Sequence, residues 1–192
     1  VLFQIHISET RSEQEEIFSR HQSTPVRYLE KIGVLDENTL LVHCVWVDQE
    51  DISLMAKRRS PVSVSTKSEM KLASGIAPIP AMLAAGLSVG LGTDGCASNN
   101  NLDMFSEMDM TAKIHKVQSL DPTVMDARSV LEAATIRAAR AIGLSDVVGS
   151  LEPGKAADLI IVDADQPHMV PLHHPVSQLV YAARGADVRD TM

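Results

Sequence analysis

Short apolar segments recur along the first half of the chain, and polar or amphipathic stretches of helical length separate most of them. The apolar segments span residues 1–7, 39–47, 62–65 and 87–92. Strands that alternate with helices indicate βα units and a parallel sheet. These segments are continuously apolar instead of alternating, as expected for strands that helices cover. We therefore predict an α/β fold.

Capping residues and hydrophobic spacing predict the helices. Residues 12–32 have a helical pattern that Pro25 should split, and residues 48–59 follow an Asp cap. Residues 77–85 form a short helix that ends before Gly86. Two longer helices follow, with apolar stripes at Leu102, Phe105, Met108 and Ala112 in the first and at Leu131, Ala134, Ala138 and Ile142 in the second.

The pattern changes after residue 145. A Pro-Gly turn at residues 153–154 precedes one predicted strand, residues 159–162, and little of the sequence beyond it is helical in pattern. We predict two units, a larger one at residues 1–145 and a small β-rich one at residues 146–192.

The chain is acidic and poor in cysteine. Its 192 residues carry a formal net charge of −8, which argues against a nucleic-acid partner because such a partner needs a clustered basic face. No run reaches about 18 apolar residues, so we expect no membrane span. Cys44 and Cys96 form no disulfide framework, and we find no signal-peptide pattern. We predict a cytoplasmic protein in which both thiols are small buried groups.

Side chains that bind metals or transfer protons lie at or just beyond the carboxyl ends of three predicted strands: His6 with Glu9, His43, and Asp94. The carboxyl ends of parallel barrel strands gather reacting groups. Imidazole and carboxylate suit a divalent metal that activates water, and a free carboxylate such as Glu9 can move protons beside it. A lone histidine in an apolar run is also a common core residue, and Asp before Gly also suits a tight turn. The joint placement at three strand ends favours the metal site.

Two conditions on this site follow from the strand geometry. Side chains alternate along a strand, so Glu9 joins His6 only if the chain has already turned into the loop. Gly90 and Gly92 share a face with Asp94, and we expect these small residues to leave space for a site above them.

The other histidines are expected to have no role in chemistry. We predict exposed positions on helices for His21 and His115, and a loop role for His168, His173 and His174.

Four motifs together resemble the metal-dependent amidohydrolase superfamily. They are HISE at residues 6–9, LLVHCVWV at 40–47, the block at 70–105 with KLASG, GLGTDG and NNNLDM, and GSLEPGKAADLIIVD at 149–163. The chain is most similar to the branch of S-adenosylhomocysteine and methylthioadenosine deaminases and triazine and chloro-hydrolases. This resemblance implies a (β/α)8 barrel with a small β-sandwich. Residues 1–145 would supply barrel strands five to eight with their helices, and residues 146–192 the C-terminal part of the sandwich.

The resemblance also implies roles for the four candidates. His6 resembles the metal ligand that ends the fifth barrel strand, and Glu9 resembles the family's proton-shuttling acid. His43 resembles the sixth-strand histidine that contacts the activated water or the substrate. Asp94 resembles the eighth-strand aspartate that binds the metal and takes a proton from the water. The implied metal is zinc, with iron as the alternative, and no substrate-binding residue is assigned.

Two departures from the family pattern are visible. The first-strand His-x-His pair, which supplies two metal ligands, is absent, and the chain starts inside an apolar segment without Met. We therefore expect a part of a longer protein, inactive by itself. Thr66 and Lys67 stand where the family has a His-Asn/Cys-Pro stretch, in a segment that looks shortened, and Glu69 replaces an Asn. We expect this to alter the substrate side of the pocket.

The leading hypothesis is a metal-dependent hydrolase acting on carbon–nitrogen bonds other than peptide bonds. Its substrate would be a small molecule, an aminopurine nucleoside or related N-heterocycle, that loses ammonia. One alternative is removal of chloride or an alkylamine from a triazine-like ring. Another is a non-catalytic relative that serves binding or assembly. A homo-oligomer is compatible with each of these.

Overall fold

The computed structural model describes residues 2–192 and contains two sheets. Four parallel strands lie in the order β1-β2-β3-β4, which confirms the predicted α/β fold, and β5 pairs with β6 in antiparallel fashion. The strands are β1 (Phe3–Ile7), β2 (Thr39–His43), β3 (Val62–Val64), β4 (Val89–Leu91), β5 (Ile160–Val162) and β6 (Val188–Thr191).

The helices occupy most of the intervals between the strands. The split at Pro25 is confirmed, because α2 begins at this residue behind the N-cap Thr24, and Asp48 caps α3 as predicted. The helices are α1 (Arg11–His21), α2 (Pro25–Lys31), α3 (Gln49–Arg58), α4 (Thr66–Lys71), α5 (Ile79–Ala84), α6 (Cys96–Asn99), α7 (Met104–Ser119), α8 (Ala127–Ala134), α9 (Ile136–Ala141) and α10 (Pro175–Tyr181).

Strand register brings the carboxyl ends of the four parallel strands to one edge of the sheet. Ile7 lies opposite His43, and Val64 lies opposite Leu91, so the loops that follow the strands start side by side. Below this edge, Leu41, Val62, Val64 and Val89 are buried in one hydrophobic core with the covering helices. The core fixes the edge on which the candidate residues stand.

Strand β2 is shorter than its apolar run predicts. The run continues to residue 47, but β2 ends at His43, because His43 and Cys44 adopt φ values of 75° and 50°. This left-handed turn is incompatible with a continuing strand. The chain then enters α3, and the Trp46 amide donates a hydrogen bond to the Ser8 carbonyl at 2.8 Å.

The two long helices also depart from prediction. The second is divided into α8 and α9 at Thr135, and its buried side chains are Val130, Ala133, Ala139 and Ala141 instead of the predicted stripe. In the first, Phe105, Met108 and Ala112 are buried as predicted, whereas Leu102 lies before the helix and is exposed.

Three further predictions were wrong. Helix α10 lies where little helix was expected, and it packs against α7 and α8 through the buried Val180. Cys44 is buried as predicted, but Cys96 is exposed. His115 is buried instead of exposed. The division of the chain after residue 145 stays a prediction.

No helix among residues 2–192 is both long enough and apolar enough to cross a membrane.

Candidate active site

The turn after β1 brings Glu9 to the side of His6. Ser8 adopts a φ of 52°, and its amide and that of Glu9 donate to the Glu13 carboxylate at 2.7 and 2.8 Å. Helix α1 therefore holds the loop through one of its first-turn side chains. The condition set by the strand geometry is met, because the chain turns before Glu9.

His6, Glu9 and His43 meet above the ends of β1 and β2. Each offers one ligand atom, and these three atoms lie within 4.8 Å of one another. The two imidazole rings stand edge to face with their centroids 4.9 Å apart. Glu9 Oε2 lies 3.7 Å from His43 Nε2. Imidazole with carboxylate is a donor set that zinc accepts, so these residues fit a divalent metal.

His43 is enclosed and surrounded by acidic groups. Its side chain is 1% exposed, and its Nδ1 lies 3.3 Å from Oε1 of the equally buried Glu69. Burial by itself disfavours the imidazolium, but the hydrogen bond to Glu69 and the charges of Glu9, Glu69 and Asp94 outweigh it and raise the pKa of His43. The ring is therefore positioned to hold a proton.

Asp94 stands after β4 and lies outside the group formed by His6, Glu9 and His43. Ser68 and Ser98 donate to its Oδ2 at 2.6 and 2.5 Å. Burial opposes its ionisation, but these bonds and one from the Gly95 amide lower the pKa of Asp94 to about 2. Asp94 is thus a carboxylate at neutral pH, and its charge acts on His43.

The space expected beneath Asp94 is partly filled. A Cβ on Gly90 would lie 2.8 Å from Ala138 Cα of α9, so α9 packs directly on this glycine. A Cβ on Gly92 would meet Ser63 and Ser65 hydroxyls at 3.3 and 3.4 Å. The expectation of open space was therefore wrong at Gly90.

Sequence reasoning missed the polar residues that surround the four candidates. Ser68, Ser98 and Glu69 are described above, and Ser74 Oγ donates to Glu9 Oε1 at 3.3 Å. The backbone carbonyl of Ser74 accepts from the Trp46 indole at 2.7 Å, which ties this loop to β2. A signal for them existed, because Ser68, Glu69 and Ser74 lie within or beside the KLASG block. Glu69 contacts His43, whereas the sequence had suggested only an altered pocket wall.

Comparison with known proteins identifies the family. The profile of the amidohydrolase family matches residues 1–192, and the chain belongs to this family. It is 52% identical over 185 residues to a 5-methylthioadenosine/S-adenosylhomocysteine deaminase of Syntrophobacter fumaroxidans, covering 96% of this chain and 42% of that relative. The chain thus spans less than half the length of this curated relative. The family resemblance read from the motifs is confirmed.

Solved structures agree with this assignment. An adenosine deaminase from Xanthomonas campestris with bound zinc superposes with a TM-score of 0.98 at 39% identity, covering 100% of this chain and 44% of that one. A zinc complex of atrazine chlorohydrolase from Arthrobacter aurescens gives a TM-score of 0.90 at 29% identity, with coverages of 98% and 42%. The four parallel strands and their helices are accordingly part of the amidohydrolase barrel.

Proposed function

We propose that the protein to which this chain belongs is a metal-dependent hydrolase that deaminates an aminopurine nucleoside. The observation that carries the proposal is the convergence of His6, Glu9 and His43, whose ligand atoms lie within 4.8 Å of one another. Nucleoside chemistry is supported by the names of the relatives, a 5-methylthioadenosine/S-adenosylhomocysteine deaminase and an adenosine deaminase.

We infer that His6 and Asp94 hold a divalent metal, zinc first and iron as the alternative. Zinc is supported by its presence in the adenosine deaminase and atrazine chlorohydrolase structures. Bound there, the metal would supply a water molecule acidic enough to ionise near neutral pH. Asp94 suits an anionic ligand, since its pKa of about 2 keeps it charged at any working pH.

The proton transfers would be carried out by Glu9 and Asp94, and His43 would assist them with a hydrogen bond. Glu9 is 23% exposed, so its carboxylate can reach both the water and an incoming ring. It would accept one proton from the water as the oxygen bonds to the ring carbon, and deliver that proton to the ring nitrogen. Asp94 would take the remaining hydroxyl proton and return it to the amine, whose bond to the ring carbon then breaks to release ammonia. His43, with its raised pKa, would donate a hydrogen bond to the oxygen that gains charge during attack.

The finer assignments are proposals as well. A small nucleoside is the proposed substrate. The net charge of −8 supports a protein that has no nucleic-acid partner. A cytoplasmic location and a homo-oligomer remain proposals that fit a nucleoside deaminase.

The test uses the protein at its natural length and measures metal content and ammonia release from 5′-methylthioadenosine, S-adenosylhomocysteine and adenosine. We expect bound zinc, ammonia release, loss of activity after chelation and recovery with Zn²⁺. Glu9→Gln should lower kcat by about 10²–10⁴-fold, the range for a lost general acid–base group. The control Glu15→Gln, on the exposed face of α1, should keep full activity.

The alternatives give different results in the same assay. Metal-loaded protein that releases chloride from a chlorotriazine but no ammonia from nucleosides would favour the triazine hydrolase, which the atrazine chlorohydrolase likeness supports. Metal-loaded protein that releases neither would favour a non-catalytic role.

A further inference from the structure

Glu69 is a buried carboxylate that the proposed reaction does not use. It lies in the short helix α4, directly after β3, and its side chain is 1% exposed. Its Oε1 accepts from the Ser65 amide at 3.1 Å and lies 3.3 Å from His43 Nδ1. A charged group so deeply buried requires partners, and these two contacts provide them.

His43 has a carboxylate at each of its two ring nitrogens. Glu69 faces Nδ1, and Glu9 faces Nε2 at 3.7 Å. The two carboxylates differ in freedom, since Glu9 is 23% exposed while Glu69 is fixed inside the protein. An ionised Glu69 can only accept, so in that state the hydrogen shared by the pair lies on Nδ1 of His43.

The backbone of His43 gives independent reason for such an anchor. His43 and the following Cys44 both adopt positive φ, at 75° and 50°, which is uncommon for residues other than glycine. Such conformations persist where the surroundings over-determine them and cluster at functional sites. The Cys44 amide donates to the Ile7 carbonyl at 3.1 Å, and Glu69 holds the ring from the other side.

We propose that Glu69 is a positioning residue for the His6–Glu9–His43 site. It accepts the Nδ1 hydrogen of His43, which fixes the ring orientation and the tautomer and leaves Nε2 as the nitrogen that faces Glu9 and the reacting groups. Metal-site histidines are commonly oriented in this way by a carboxylate on the other ring nitrogen. The inference rests on the proposed function of this site.

The competing explanation is that Glu69 merely stabilises α4, because it also binds the amide of Ser65 at the start of that helix. The experiment must therefore measure something that helix stability does not change. The tautomer of His43 is such a quantity. It is read from the nitrogen chemical shifts of [15N]histidine-labelled protein at natural length, at a pH at which the ring is neutral.

Three variants separate the explanations. Glu69→Gln keeps an acceptor of the same length, and we expect it to retain the Nδ1–H tautomer. Glu69→Met removes the acceptor, and we expect the Nε2–H tautomer to become populated. Glu107→Gln is the matched control, because Glu107 is equally buried and accepts the Lys67 amide at 2.9 Å. It should leave the tautomer of His43 unchanged.

A wild-type tautomer in Glu69→Met would overturn the proposal, as would an equal change of tautomer in Glu107→Gln. If Glu69→Met does not fold, Glu69→Asn, one methylene shorter, takes its place with the same expectation. The tautomer is measured without substrate. Absence of deaminase activity would therefore count against the proposed function and leave this result intact.

Discussion

The Asp94 carboxylate is held as an anion by its neighbours. The hydroxyls of Ser68 and Ser98 converge on one oxygen, Oδ2, from helices α4 and α6. The residue adopts a φ of 59°, a conformation that Asp tolerates better than most residues. Its charge and direction are therefore set by side chains of these two helices, which suits the proposed role of Asp94 as an anionic metal ligand.

Asp94→Asn tests whether that charge is needed. The amide has the same size and still accepts from Ser68 and Ser98, so we expect the fold and the melting temperature to be retained. Loss of the anion should abolish turnover, with kcat falling at least about 100-fold. The measurement is ammonia release together with circular dichroism. Asp109→Asn is the control, since Asp109 pairs with Lys113 along α7 and should stay active. Full activity in Asp94→Asn would mean that the assigned mechanism is wrong.

At the scale of single residues, the sequence identifies side chains that can bind a metal or transfer a proton and that also lie at the end of a predicted strand. His6, Glu9 and His43 could be selected because each lies at or just beyond the end of a predicted strand, and the structure brings these three together. Glu69 could not be selected for its contact with His43, because 26 residues separate them and α4 has six residues. A helix this short shows no periodicity from which a buried face can be predicted.

Among the elements, the break between α8 and α9 shows where hydrophobic spacing fails. The sequence at residues 127–141 contains neither glycine nor proline, so it predicts one continuous helix. The break at Thr135 lies where the chain meets other elements closely. A Cβ on Gly149 would lie 2.7 Å from Ala139 Cβ and 3.3 Å from the Thr135 carbonyl oxygen. The break thus coincides with close tertiary packing, which a local sequence pattern does not contain.

The same packing makes Gly90 a sensitive position. Helix α9 crosses β4 at this glycine, and an added Cβ would lie 2.8 Å from Ala138 Cα and 3.0 Å from Ala138 Cβ. The first of these atoms belongs to the backbone and cannot rotate away. We expect Gly90→Ala to lower the free energy of unfolding by about 1–3 kcal/mol, as measured by urea denaturation.

Gly95→Ala is the control for this substitution. A Cβ at Gly95 meets nothing within 4 Å, and its φ of −75° is open to any residue. The change in its unfolding free energy should be smaller than that of Gly90→Ala. Equal stability losses in the two variants would show that contact with α9 is not the cause.

For the molecule as a whole, the sheet could be predicted because consecutive strands are neighbours and helices join them. Sequential order is the commonest arrangement of βα units, so the positions of the strands and helices were almost sufficient to predict the order of strands in the sheet. Helix α10 was missed because its first residue is Pro175, which follows a Pro- and His-rich stretch. Proline is common in the first turn of a helix, so Pro175 is compatible with a helix start. The prolines and histidines that precede it nevertheless favoured a loop. The burial of Val180 then depends on α7 and α8, which lie far away in sequence.

Global stability should depend on His115, which was wrongly expected to be exposed. It continues the buried stripe of α7, three residues after Ala112, so a longer stripe would have predicted its burial. Its Nδ1 has no hydrogen-bond partner among residues 2–192. Burial lowers its pKa to about 4, although Gln118 opposes this. In the unfolded chain, the pKa of a histidine is about 6.5.

These values predict a loss of stability in mild acid. Between pH 6.5 and 4 the unfolded state binds a proton that the folded state does not, so the free energy of unfolding falls as the pH decreases through this window. The full effect is about 3.5 kcal/mol, from about 1.4 kcal/mol per pKa unit over about 2.5 units, and about 3 kcal/mol of it is reached at pH 4. The raised pKa values of His43 and Glu107 act in the opposite sense, because their folded forms bind protons more readily.

His115→Leu isolates this contribution, since His43 and Glu107 are present in both proteins and cancel in the difference. Urea denaturation at pH values from 7 to 4 should show the variant gaining about 3 kcal/mol on the natural sequence as the pH falls. Met108→Leu, a buried substitution on α7 that changes no titratable group, is the control and should give a profile parallel to that of the natural protein. Parallel profiles for His115→Leu and the natural sequence would show that His115 does not take up a proton on unfolding, and the acid sensitivity would then have to come from other groups.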